Sequence, residues 1–454
     1  MLSAILSIML EWEKVFPQCR TANRAIKQAL SNVCIIGRRT IARSYLVQGG
    51  QGDWSADYKL HTRSKWDAQD LFEPILKQAL EMCPGRFLPL GTDDTRIRKS
   101  GKKIQTAQWA RDPLSPPFHV NLSFGLRWLH TSVLLPLHQE EAVSARALPI
   151  WFQEVAPVKK PGKKATEEEK KAYREATKKQ NLSVEAVKMF ETIRQKLDRL
   201  EGEEKILAFA LDGSFCNRTI FKAKLDRTIL IARTRKDAKL CFVAPSGRRV
   251  YAPEKFTPEE ILKDSQIQWQ EREIFHGGQK RMVGYKEVPD VLWQRGAGQR
   301  KLRLLVIKPT PYRKTKKGRL LYRQPAFLLT TDLETEAGTL LQIYFDRWQV
   351  EVAHKELKDT LGVGQAQVRV PAAVCRQPVL AVGTYSSLHL AALKAYGVGR
   401  SAEFGPLPKY QREKSRVSCQ DLIRKLRDEV VKKPELLPFD LKVTQESILE
   451  AATR

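Results

Sequence analysis

Acidic residues, cysteines and long apolar runs are what this sequence is short of, and each shortage narrows the possibilities. Its 454 residues include 51 Asp and Glu against 79 Lys and Arg, a net charge of +28. Such a surplus repels itself unless a polyanion is the working partner, so nucleic acid is the first expectation. An acidic membrane surface is the rival. It would need an amphipathic anchor or a long apolar span, and no run of 18 apolar residues occurs, so no membrane partner is expected. Residues 1–10 are apolar but lack a basic start, and Glu11-Trp12-Glu13-Lys14 follows at once. They read as a first helix rather than a secretory signal. The seven cysteines are scattered, with no CxxC pair and no histidine-rich spacing beside them. That predicts reduced thiols in a cytoplasm and argues against zinc.

What is present reads as a globular protein of two or three domains, with 42% hydrophobic and 29% charged residues. Residues 1–85 read as helical. Within them Gly37 opens a turn into a basic helix, and Arg38, Arg39 and Arg43 near its start suit phosphate; an ordinary bundle with a charged face is the plain alternative. Pro84-Gly85 marks a boundary. Residues 86–232 supply apolar strands at 87–90, 120–128, 131–137, 206–211 and 228–232, with helices between 159 and 201. Residues 233–324 are rich in short β-like runs and in clusters such as Arg248-Arg249 and Arg313-Lys314-Thr315-Lys316-Lys317. Residues 325–397 return to a strand at 326–330. Thr331 and Glu334 there offer a capping box, and an apolar helix runs over 379–396. Residues 398–454 read as loop, charged helices and tail.

The stretch from Tyr344 to Lys358 contains neither Pro nor Gly and predicts a helix. At about 100° per residue, Tyr344, Arg347, Glu351 and Lys358 fall within roughly 60° of one another. Ile343, Val350, Leu357 and Leu361 form an apolar stripe beside them, and His354 lies off the polar one. One stripe can face a core and the other a cleft; a surface helix with ion pairs is the plain alternative. Two strands upstream run into acids. Phe87-Leu88-Pro89-Leu90 leads to Asp93 and Asp94, with Arg96, Arg98, Lys99, Lys102 and Lys103 close behind. Ile206-Leu207-Ala208-Phe209-Ala210-Leu211 leads to Asp212 and a Gly-Ser turn. A carboxylate at a strand end can build a metal site or merely cap a turn.

The spacing Tyr344-x2-Arg347-x3-Glu351-x6-Lys358 resembles the YREK signature of bacterial insertion-sequence transposases of the DDE type. The resemblance implies an α/β fold: a ribonuclease H-like mixed sheet flanked by helices, with a β-rich insertion before the catalytic helix and an N-terminal helical domain that helps bind transposon ends. It implies Asp94, the acid just before a Thr, together with Asp212 and Glu351, as catalytic ligands of Mg²⁺, with Mn²⁺ possible. It implies DNA contacts from Tyr344, Arg347 and Lys358. An insertion tryptophan, Trp269 or Trp293, is offered as a base-stacking platform against ordinary core packing. The implied partners are DNA, as terminal inverted repeats and target, and a second copy of the chain in a homodimer on that DNA. The implied location is cytoplasmic and nucleoid-associated. Two rivals keep the fold: a metal-dependent nuclease without strand transfer, and a DNA-binding derivative without catalysis.

Overall fold

The computed structural model describes all residues except 113–114, 117, 140–142, 246–249, 316–317 and 399–416. The Arg248-Arg249 and Lys316-Lys317 pairs and most of the loop after 397 lie outside the described residues. The chain is α/β, with parallel and antiparallel strands in a mixed sheet flanked by helices. The strands are β1 (Phe87–Arg98), β2 (Gln108–Arg111), β3 (Leu122–Leu135), β4 (Arg146–Glu154), β5 (Ile206–Leu211), β6 (Thr228–Arg233), β7 (Gln270–His276), β8 (Gln279–Leu292), β9 (Lys301–Ile307), β10 (Pro311–Arg313), β11 (Leu320–Tyr322) and β12 (Ala326–Thr330). The chain divides into two compact units. The first gathers Met1–Met82, Asp94–Lys160 and Gln349–Arg454; the second gathers Cys83–Asp93 and Pro161–Trp348.

The second unit is built on β5, whose residues Leu207 to Leu211 are all fully buried. A strand with no polar face must be covered on both sides. Successive side chains alternate, and here the alternation is in size. Phe209 meets Phe190 of the helix Leu182–Arg199, with ring centroids 4.1 Å apart. Ala208 and Ala210 face the other way, where the helix Ala337–Asp346 lays Leu340, Leu341 and Ile343 against them. Small residues on that side let the helix approach closely. Strand order in this unit is β1-β5-β6-β12-β9-β8-β7. β1, β5 and β6 are parallel, and β12 turns antiparallel to both β6 and β9. The β-rich run expected at 233–324 therefore extends the sheet through β7, β8 and β9. The helix Ala337–Asp346 is not opened by Thr331 and Glu334. Its cap is Glu336, whose carboxylate accepts the Thr339 N–H at 3.1 Å, while Thr331 Oγ1 accepts the Leu230 N–H.

The first unit surrounds the helix Pro371–Tyr396, which starts eight residues before the sequence predicts. Proline at its first turn loses no hydrogen bond, and Gly397, at φ 72°, ends it. Every residue from Val379 to Leu393 is buried, so this helix is a core element on all its sides. Its neighbours include the helix Leu2–Leu10 and β4. Trp12 Nε1 donates to the Leu71 carbonyl at 3.1 Å. β3 pairs antiparallel with β2 and β4; the two strands predicted at 120–137 are one strand, with a register shift at Thr131/Ser132. Trp128 of β3 stacks on Phe152 of β4 at 4.6 Å.

Two histidines of this unit are buried and neutral. His61 Nε2 faces Gln28 Oε1 at 2.5 Å, and His130 Nε2 faces Ser132 Oγ at 2.8 Å. Burial, helped by the charge of Arg376 at His61 and of Lys358 at His130, pushes each pKa down to about 3. In the unfolded chain they titrate near 6.5, so acid favours unfolding. Their contribution is complete above about pH 6.5 and is lost as pH falls toward 3, at about 1.4 kcal/mol per pH unit for each group. Thermal melts between pH 7.5 and 4.5 are expected to show a falling midpoint, and a shallower fall in His61→Gln or His130→Gln.

Candidate active site

In the second unit the parallel register of β1 on β5 pairs Leu88 with Leu207 and continues to Thr92 with Leu211. One residue beyond that register come Asp93, still on β1, and Asp212, just past the end of β5. Asp212 leads into the 3-10 turn Gly213–Phe215. Arg347 lies at the end of the helix Ala337–Asp346, and its guanidinium reaches both acids. Nη1 is 3.6 Å from Asp93 Oδ2, and Nη2 is 4.0 Å from Asp212 Oδ1. These are ion pairs through charge rather than tight hydrogen bonds. Arg347 is largely buried, at 11% side-chain exposure, so little water screens them. Tyr344 is half-buried, edge-on to Phe345 at 6.2 Å, beside the core under that helix. Asp93, Asp212 and Arg347 are thus brought together in one place.

In the first unit Asp94 is held by Arg127 of β3. Nε donates to Oδ2 at 2.7 Å and Nη2 to Oδ1 at 3.0 Å, a two-pronged grip. The sequence favoured Asp94 as the partner of Asp212, but the acid that the register and Arg347 join to Asp212 is Asp93. Asp212 stands just past the end of β5 as expected, but Asp93 and Asp94 lie inside β1 rather than at its end. β1 runs on to Arg98 because Thr95 and Ile97 keep burying alternate positions. The single helix expected over 344–358 is also modified. Arg347 keeps helical angles (φ −51°, ψ −30°), the helix Trp348–Lys355 follows, and a π turn spans Glu356–Thr360. The apolar stripe is as expected: Ile343, Val350, Leu357 and Leu361 are all buried. Glu351 is half-buried on Trp348–Lys355. His354 is buried against His130, with centroids 4.8 Å apart. Lys358 lies inside the π turn, where uniform 100° steps no longer give its direction.

The three arginines expected at phosphate divide. Arg38 is exposed and lines a cavity with Arg98 and Lys99. Arg39 is buried, its Nε donating to the Asn32 carbonyl at 3.0 Å, and burial beside Arg427 lowers its pKa to about 10. Arg43 donates to the Arg38 carbonyl at 3.3 Å. The helix start at Ile41 is already capped, since Thr40 Oγ1 accepts the Arg43 N–H at 3.2 Å. At that helix start one backbone donor is thus taken by Thr40 and Arg39 is turned into the fold, while Arg38 stays on the surface. Of the two tryptophans, Trp293 packs edge-on to Phe221 at 5.7 Å. Trp269 has Lys286 Nζ at 4.9 Å and Lys308 Nζ at 5.6 Å over its ring.

One buried cluster has no counterpart in the sequence reading. Glu356 accepts from Arg146 at 3.1 Å and from Tyr385 OH at 2.5 Å, with His389 Nε2 at 3.7 Å and Cys419 alongside. Glu356, His389 and Cys419 could between them hold a metal ion. The carboxylate is nonetheless already balanced by Arg146, and burial, together with the charge of Glu356, pushes the Cys419 thiol well up. The geometry is that of a buried ion pair joining β4 to the π turn. Removing one partner leaves the other uncompensated. Arg146→Met is expected to cost about 3–5 kcal/mol in denaturant unfolding, and the double variant Arg146→Met/Glu356→Gln much less.

No protein-family model matches the chain, and no curated protein matches it. The site rests on its residues. Asp212 and Arg347 were marked by an apolar run into an acid and by motif spacing. Asp93 was set apart from Asp94 only by cross-strand register, which a single strand does not encode.

Proposed function

We propose that the chain is a DNA transposase of the DDE type with a ribonuclease H-like catalytic domain, cutting transposon ends and joining them to target DNA. The observation that carries this is the meeting of Asp93, on β1, and Asp212, just after β5, at the guanidinium of Arg347 of the YREK-like signature. The antiparallel β3/β4 pair, followed in sequence by parallel β5 and β6 on β1, supports the fold. The surplus of 28 positive charges supports the substrate.

Asp212 and Glu351, with Asp93 as the first acid, are the proposed holders of divalent ions. Their donors are carboxylate oxygens, the hard ligands that suit Mg²⁺ or Mn²⁺. When bound, two such ions neutralise the phosphodiester and activate water or a 3′-hydroxyl for in-line attack. Arg347 offsets the mutual repulsion of Asp93 and Asp212, and its planar fork suits a neighbouring phosphate. Lys358 and Tyr344 are assigned to flanking DNA, and two copies of the chain to the paired ends.

The test is a cleavage and strand-transfer assay with Mg²⁺ on DNA carrying the sequences that flank the gene. The parent is expected to cut and join, and Asp212→Ala to fall to background while still binding DNA. Cutting without joining would reduce the reading to a nuclease; binding without either would reduce it to a DNA-binding protein. Asp93→Asn is expected to abolish both steps, whereas Asp94→Asn, which loosens Arg127, lowers them only severalfold. The reverse ranking assigns the ligand to Asp94.

A further inference from the structure

Three distant segments of the first unit converge on a cavity of about 360 Å³. Arg38 comes from the turn before Ile41, Arg98 and Lys99 from the end of β1, Lys102 and Lys103 from the loop beyond it, and Arg369 from the chain after the π turn. Among the described residues that line it none is acidic. The walls are fixed in place. The Arg39 N–H donates to Gln365 Oε1 at 2.8 Å, and Lys99 Nζ to the Gly364 carbonyl at 2.8 Å. Gly364, at φ 91°, is required here, because a Cβ would lie 2.2 Å from Ile97 Cγ2. The cations do not neutralise one another; Arg98 is offset by Asp112, at 2.7 Å, which stands outside the lining. Burial, against the pull of Glu154, lowers the Lys99 ammonium to about 8, and an anion in the cavity would raise it again. Clustering cations in a concavity costs free energy that a polyanion recovers on binding.

We propose that this cavity grips the sugar-phosphate backbone of duplex DNA, as a docking site separate from the acids. The proposal deepens the transposase reading and rests on it for the identity of the polyanion. The amount of charge argues for backbone rather than a free phosphorylated molecule: six cations from three segments line the cavity, more than a single phosphate group would neutralise.

The test uses the full chain and a 30-base-pair duplex of arbitrary sequence, with affinity measured from 50 to 200 mM salt. Lys102, Lys103 and Arg369 are exposed, and replacing all three by Ala is expected to leave the melting temperature unchanged. The slope of log affinity against log salt is expected to shrink by about 2.7, at about 0.9 for each of the three phosphates no longer neutralised. A control triple, Lys171→Ala, Lys178→Ala and Lys179→Ala on the helix Glu167–Lys179, removes the same charge elsewhere and is expected to change the slope by less than about 0.5. Equal effects of the two triples overturn the proposal, as does tighter binding of a duplex RNA, or of a mononucleotide, through the same three residues. A parent that binds with the expected slope difference yet never cuts DNA overturns the transposase reading and leaves the cavity standing. A parent that cuts while the cavity triple keeps its full slope does the opposite.

Discussion

A slip of one residue between β1 and β5 would dismantle the proposed chemistry. The pairing of Thr92 with Leu211 decides which of two adjacent acids stands beside Asp212. Side chains alternate, so the slip would also turn Leu88 and Leu90 out of their core positions. Both are fully buried, as are Leu207, Phe209 and Leu211 across from them. The hydrophobic packing of five side chains thus fixes the register that places a carboxylate. Arg347 then acts on acids already aligned, and needs only to approach within ion-pair distance.

The same protein treats its many cations in two ways. Where an arginine enters the fold it is matched: Arg146 by Glu356, and Arg39 by the Asn32 carbonyl. Around Lys102 and Lys103, by contrast, cations from three segments line one cavity that has no acid among its described lining residues. Matched charges add specificity and little net stability. Unmatched ones store repulsion that an anionic partner relieves. At this cavity part of the positive surplus is therefore presented on surface available to a ligand.

Much of this was legible from local pattern. Six apolar residues ending in Asp-Gly-Ser gave β5, and the 3.6-residue period gave the buried stripe of Ile343, Val350, Leu357 and Leu361. Other parts were hidden by residues that read as breakers. β4 contains Pro149, which sits next to the register shift opposite Ser132, where a strand tolerates it. The core helix contains Pro378, so its first turns looked like loop. The choice between Asp93 and Asp94, and the meeting of Arg146 with Glu356, depend on partners far away in the chain, and no window of sequence contains them.

The π turn at Glu356–Thr360 changes how distance along this stretch should be counted. In uniform α winding, seven residues make nearly two full revolutions, so Lys358 would stand in line with Glu351. Wider winding covers less angle in the same seven steps, and the lysine falls short of that line. The interval between the two residues therefore overstates how nearly they share a side.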